Sequence, residues 1–203
     1  MAPPRRASKG RAVPSVPVSR DESIEETIDR LAAEAEIRRV LARYSHAADR
    51  GDSELLKTVY HADGVDEHGS HFVGRGWDFA EWTRSNRGRF EVGMHHLTST
   101  LIEIHGDSAA AESTMFGLVK AATGEVSWSS GRYLDRLERR DGEWRVAYRR
   151  FVNDVAFPVP AHRGEVDRSG AYPRGTQSLD DPAYALFAAV AAGRPWPEAP
   201  ADV

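Results

Sequence analysis

The chain contains no cysteine. Disulfides, thiol nucleophiles and cysteine-held zinc or iron–sulfur centres are therefore excluded. No apolar run approaches the roughly 18 residues of a membrane span, and the N-terminus lacks the apolar core of a secretory signal. A cytoplasmic protein without membrane contact is expected. Motifs that announce other chemistries are missing as well. There is no G-x-S-x-G elbow, no phosphate-binding P-loop, no G-x-G-x-x-G following a strand, and no internal repeat.

What remains is ordinary in bulk and uneven in charge. The 203 residues are 40% hydrophobic and 29% charged, enough for one domain with tails. The net charge of -4 hides a leader, residues 1–20, that holds Arg5, Arg6, Lys9, Arg11 and Arg20 and no acid. Beyond it, 22 basic residues face 31 acidic ones. A short Pro- and Ser-rich basic stretch without interleaved aromatics is expected to be a disordered leader. The acidic body argues against nucleic acid as the partner.

Periodicity divides the rest into a domain over 21–156 and an extension over 157–203. Residues 21–49 predict an amphipathic helix, with Ile24, Ile28, Leu31, Ala35, Ile37, Val40, Leu41, Tyr44 and Ala48 at helical spacing. Ser23 and Glu26 form a capping-box pattern, and Gly51 supplies the stop. A short helix over 53–60, a strand over 64–74 and a helix over 76–88 follow. The period then changes to strands at 92–105, 108–121, 125–139 and 143–156, joined by Gly-Asp and Asp-Gly turns. Asp181, Pro182 and Gly193 bracket a last helix near 182–192. Helices followed by a long antiparallel meander give an α+β class, a curved sheet wrapped over the N-terminal helices. Such a cone has an interior that can hold a small molecule.

Chemistry-bearing residues concentrate where the cone would open. Tyr44 lies on the apolar stripe of the first helix. Asp49 is rotated roughly 140° from it, at the helix end, where it can also be a plain C-terminal turn residue. In GMHHLTSTLIEIHGD (93–107), strict alternation places His96 with Ile102 and Ile104, whereas a β-bulge near 98–100 would bring His95 to that face. Periodicity leaves both histidines open. HADGVDEHGSH (61–71) puts Asp66 and His68 on one strand face, which invites a metal reading, but nothing matches H-E-x-x-H and no metal is expected. One of Arg149 and Arg150 must point inward, where a guanidinium needs an anionic partner or a substrate atom.

The ordered pieces AEIRRVLARYSHAADRGD, HADGVDEHG, MHHLTSTLIEIHGD and SGRYLDRLERRDGEWRVAYRR resemble the SnoaL-like branch of the nuclear-transport-factor-2-like superfamily, from about residue 32 to 154. Within it the chain resembles the hexachlorocyclohexane dehydrochlorinase and bile-acid 7α-dehydratase groups, with scytalone dehydratase more distant. The resemblance implies a cone-shaped α+β barrel and an Asp–His pair that eliminates HCl or water from cyclic hydrophobic molecules without a cofactor or metal. It places the aspartate at Asp49 and the histidine at His95, with Thr98 and Glu103 in register. It also places a tyrosine at Tyr44, where the dehydrochlorinase group has lysine, and an arginine at Arg149. Ser99 stands where the family carries asparagine, and His96 departs from the usual apolar neighbour. A dehydratase is thus expected, with an isomerase, a cyclase, a dehydrohalogenase or a non-catalytic binding domain as alternatives. Phe116, Trp128 and Tyr133 are candidate pocket walls, and His68, His96 and Asn153 candidate polar contacts. A homo-oligomer, dimer or trimer, is expected from the same resemblance.

Overall fold

The computed structural model describes residues 22–159 and 175–194. The basic leader lies outside the described residues. Helix α1 (Ile24–Arg50) begins with a reciprocal cap. The Ser23 side chain accepts the Glu26 N–H, while the Glu26 carboxylate accepts the Ser23 N–H at 2.8 Å. It ends at Gly51, which is left-handed at φ 62. A side chain there would also strike the Arg87 guanidinium, 2.8 Å from the position of its Cβ. The 27 residues of α1 run about 40 Å. Its buried face starts at Ala33 and continues through Ile37, Val40, Leu41, Tyr44 and Ala47. Ile24, Ile28 and Leu31, expected on that stripe, are exposed.

Helix α2 (Ser53–Lys57) is capped by Asp52 and is shorter than expected, because β1 (Tyr60–Glu67) has already begun at Tyr60. The expected strand over 64–74 is in fact two strands. The chain reverses at 68–72, and β2 (Val73–Arg75) returns antiparallel to β1. Helix α3 (Gly76–Ser85) follows, closed early by Asn86, whose side chain and N–H both bond the Trp82 carbonyl. Gly76 opens α3 directly against Tyr60, where a Cβ would sit 2.2 Å from the ring.

The meander comprises β3 (Phe90–His105), β4 (Ser108–Ala121), β5 (Val126–Arg140) and β6 (Glu143–Val159). The sheet order is β2-β1-β6-β5-β4-β3, with β1 parallel to β6 and β3 at the edge. Asp141 and Gly142, both at positive φ, make the β5–β6 turn. The inner face buries Ala109, Ala111, Ser113 and Met115 of β4, Tyr133, Asp135 and Leu137 of β5, and Val146 and Arg149 of β6. Helix α1 covers this face. Each fully buried leucine of the core, such as Leu41, Leu56 or Leu137, contributes about 1.5–3 kcal/mol over an exposed one.

Helix α4 (Pro182–Ala191) is capped by Asp181, which accepts the N–H groups of Ala183 and Thr176. It docks on the end of α1. The Tyr184 hydroxyl donates to Asp52 at 2.9 Å, and His46 packs against Tyr184 and Phe187. Among the described residues no helix is long and apolar enough to cross a membrane.

Candidate active site

Two strand irregularities decide which side chains face inward. In β3 the pairing runs regularly to Leu97–Met115, slips, and resumes at Thr100–Ser113. The extra residue reverses parity, so His95 and Leu97 share the inner side with Thr100, Ile102 and Ile104. In the β5–β6 hairpin, counting back from the turn pairs Leu137 with Val146, but Arg136 already pairs with Tyr148. Ala147 is the extra residue, and its insertion sets Asp135 opposite Arg149.

The first of these slips brings His95 to the end of α1. His95 Nδ1 lies 2.6 Å from Asp49 Oδ1, and the His95 backbone N–H donates to Asp49 Oδ2 at 3.1 Å. One carboxylate therefore grips both the ring and the backbone of a residue that, among the described residues, has no strand neighbour on that side. The ring donates through Nδ1, which leaves Nε2 as the basic nitrogen of the neutral imidazole. The pair is partly shielded, with 27% of the His95 side chain and 15% of the Asp49 side chain exposed. Gly117 is the cross-strand neighbour of His95 and places no side chain beside the ring. A cleft of about 440 Å³ between α1 and β3 reaches His95, lined also by Arg38, Leu41, Ser45, Leu97 and Thr100.

The fold that carries this geometry has known relatives. Residues 29–150 match the model of the SnoaL-like domain. The chain belongs to that family. Its cone is that of the nuclear-transport-factor-2-like superfamily. A hexachlorocyclohexane dehydrochlorinase (LinA, type 2) is similar at TM-score 0.65 and 18% identity, over 70% of this chain and 99% of that one. A protein provisionally assigned as a scytalone dehydratase, from Novosphingobium aromaticivorans, is similar at TM-score 0.60 and 20% identity, over 70% and 98%. A Mycobacterium tuberculosis protein of unknown function reaches 31% identity at TM-score 0.56, over 63% and 75%. No curated protein matches by sequence.

Deeper in this SnoaL-like cone lies a polar cluster that the sequence reading did not assemble. Arg149 is fully buried and bonds Asp135 through two nitrogens, Nε at 2.7 Å and Nη2 at 2.8 Å. Its guanidinium lies 3.8 Å over the Tyr44 ring and 4.4 Å over the Tyr133 ring. Burial works against its charge, but the adjoining Asp135 carboxylate outweighs it and holds the group well above its ordinary value. Two of its three nitrogens are thus committed within the protein, and Nη1 is buried without a partner among the described residues. Asp66 is also fully buried. It accepts the Tyr60 hydroxyl at 2.6 Å and a short contact from His68 Nδ1. His68 stacks on Phe79 at 4.8 Å and on Phe151 at 5.6 Å, and its Nε2 lies 3.4 Å from the Tyr44 hydroxyl. Burial first, then the nearby Tyr133, Tyr60 and Asp66 oxygens, pushes the Tyr44 phenol well above its ordinary value.

The structure separates the remaining candidates. Tyr133 lies inside, edge-on to Tyr44 at 5.4 Å. Phe116 and Trp128 pack against each other, tilted, with ring centroids 4.6 Å apart on the outer sheet face, away from Asp49 and His95, so neither is a wall of the cone. His96, cross-strand from Phe116, is exposed on that same outer face, because the bulge that turned His95 in turned it out. Asn153, cross-strand from Gly131, is exposed. Among the described residues no group of three or more side chains could hold a metal ion.

Proposed function

We propose that this protein is a cofactor-independent lyase that removes water from a cyclic, hydrophobic small molecule of steroid, terpenoid or polyketide type. The observation that carries the reading is the 2.6 Å contact between Asp49 and the Nδ1 of a histidine whose Nε2 is left as a base. A dehydrochlorinase and a provisional scytalone dehydratase among its structural neighbours, both named for eliminations, support the reaction class. His95 Nε2 takes the proton beside a substrate carbonyl, and the C–H electron pair forms the new double bond. The C–O bond breaks with its electrons on oxygen, and that oxygen takes the Tyr44 proton and leaves as water. Asp49 holds the ring in its productive tautomer and stabilises the imidazolium that forms. Arg149 stabilises negative charge through its one free nitrogen and through the Tyr44 ring beneath it.

The test is turnover of a panel of cyclic β-hydroxy ketones by purified protein, followed by mass spectrometry. Loss of one water from the substrate is expected. His95→Ala and Asp49→Asn should each lower the rate by about 10²–10⁴-fold. A product of unchanged mass would replace elimination with isomerisation, and unaltered rates in either variant would reject the base.

A further inference from the structure

His68, Asp66 and Tyr44 form a second cluster of titratable groups, distinct from the His95 pair, in which Asp66 and Tyr44 are fully buried and His68 is partly so. Asp66 contacts two side chains, Tyr60 and His68, and of these His68 alone can carry positive charge. The neighbouring Arg149 is matched by Asp135. A fully buried carboxylate needs hydrogen-bond donors, and a His68 ring with a proton on each nitrogen would serve both Asp66 and the Tyr44 oxygen. Its Nδ1–H then donates to Asp66 and its Nε2–H to the Tyr44 oxygen, 3.4 Å away. This ring meets Tyr44 on α1, Asp66 on β1, Phe79 on α3, Tyr133 on β5 and Phe151 on β6, while Tyr60 reaches it only through Asp66, and the Arg149–Asp135 pair only through Tyr44 and Tyr133.

We propose that Asp66, His68 and Tyr44 form a proton-delivery line that ends at the Tyr44 hydroxyl and serves an oxygen leaving group. This rests on the elimination proposed above and narrows it to departing oxygen rather than halide. When the substrate C–O bond breaks, the Tyr44 O–H proton goes to the departing oxygen, and the His68 Nε2 proton moves to Tyr44. The tyrosine never becomes a phenolate, and His68 is left neutral with Nδ1–H still on Asp66. After product release the proton on His95 returns to solvent and His68 takes one up. Such refilling is what Tyr44 requires, because a phenol held above its ordinary value by burial gives up its proton poorly on its own. Asp66 touches no reacting atom in this scheme and is a positioning residue.

Two measurements on the full-length protein test the line. The first needs no substrate: nitrogen NMR of the imidazoles in wild type and Tyr44→Phe. The His68 Nε2 resonance should move while that of His95 Nδ1 stays. An unmoved His68 resonance overturns the proposal. The second compares a hydroxydecalone bearing a β-hydroxyl with its acetate, which leaves as an anion and needs no proton. His68→Gln and Tyr44→Phe should slow the alcohol by about 10²-fold and the acetate by less than about threefold. Equal losses on both would mean that His68 only supports the core, which also overturns the proposal. His95→Ala should slow both. If it slows neither, the base assignment falls while the leaving-group result stands. If neither compound is turned over, the NMR comparison decides alone.

Discussion

The two histidine–aspartate pairs of this cone use the same atoms in opposite surroundings. Asp49 and His95 sit at the end of α1 and the edge of the sheet, with 15% and 27% of their side chains exposed. Asp66 and His68 sit inside, with 0% and 16% exposed, and the ring is pressed between two phenylalanines. At the rim the histidine keeps one nitrogen free of partners among the described residues, as the proposed base requires. Inside, both nitrogens are engaged, as suits a relay or a strut. Exposure thus separates a group placed to meet a substrate from a group placed to hold or pass on a proton. The difference also divides the expected cost of losing each part between rate and stability.

The comparison breaks most sharply at the rim. Asp49→Asn should lose about 10²–10⁴-fold in turnover while changing unfolding free energy by less than about 1 kcal/mol, as for a partly exposed pair. Urea unfolding beside a rate assay checks both. In the interior, stability should fall together with rate. Arg149→Met leaves the Asp135 carboxylate buried and unpaired, which costs about 3–5 kcal/mol of stability by denaturant titration. A stable Arg149→Met protein that had lost only activity would erase the distinction. Smaller in scale is the docking of α4. Asp181→Ala removes its cap and should loosen that helix by about 1 kcal/mol, read by hydrogen exchange confined to 182–191.

Acid should act on the same helix. The N–H groups of Thr176 and Ala183, with Arg50 and His46 nearby, hold the Asp181 carboxyl below its ordinary value despite its burial. A carboxylate depressed in the folded state stabilises above its unfolded value. That contribution is lost as pH falls through the lower, folded value, so docking of α4 should weaken below about pH 4. Proteolysis across this range measures it, and docking unchanged at pH 3 would remove Asp181 from the account. The smallest effect belongs to the outer sheet face. Phe116→Ser should leave turnover within about twofold, since surface changes away from such features are mild.

Local signals were legible because they depend on few residues. Ser23 with Glu26, Gly51, and Asp181 with Pro182 marked helix ends that the structure shows, since caps are short-range chemistry. The hairpin turns announced the meander for the same reason. Inside-versus-outside assignments were harder. Strand β4 buries Ala109, Ala111, Ser113 and Met115 and displays Phe116, so hydrophobicity pointed to the wrong face. The Asp49–His95 and Asp135–Arg149 pairings each depend on a single extra residue in a strand, one near 98–99 and one at Ala147. Strict alternation cannot foresee a bulge. For β3 the family resemblance supplied it. For Asp135 no signal did, although it lies one register step from the position that counting back from the Asp141–Gly142 turn would reach. Asp66 and His68 were visible as neighbours on one strand face, but their contact with Tyr44 needed the fold.

The proposed elimination stands on removal of a proton from carbon by His95 Nε2. Deuterium uptake from heavy water into the carbon beside a bound cyclic ketone, followed by NMR, reads that step without requiring a leaving group. Wild type and His68→Gln should both wash deuterium in, and His95→Ala should not. Uptake by His95→Ala at the wild-type rate would contradict the account.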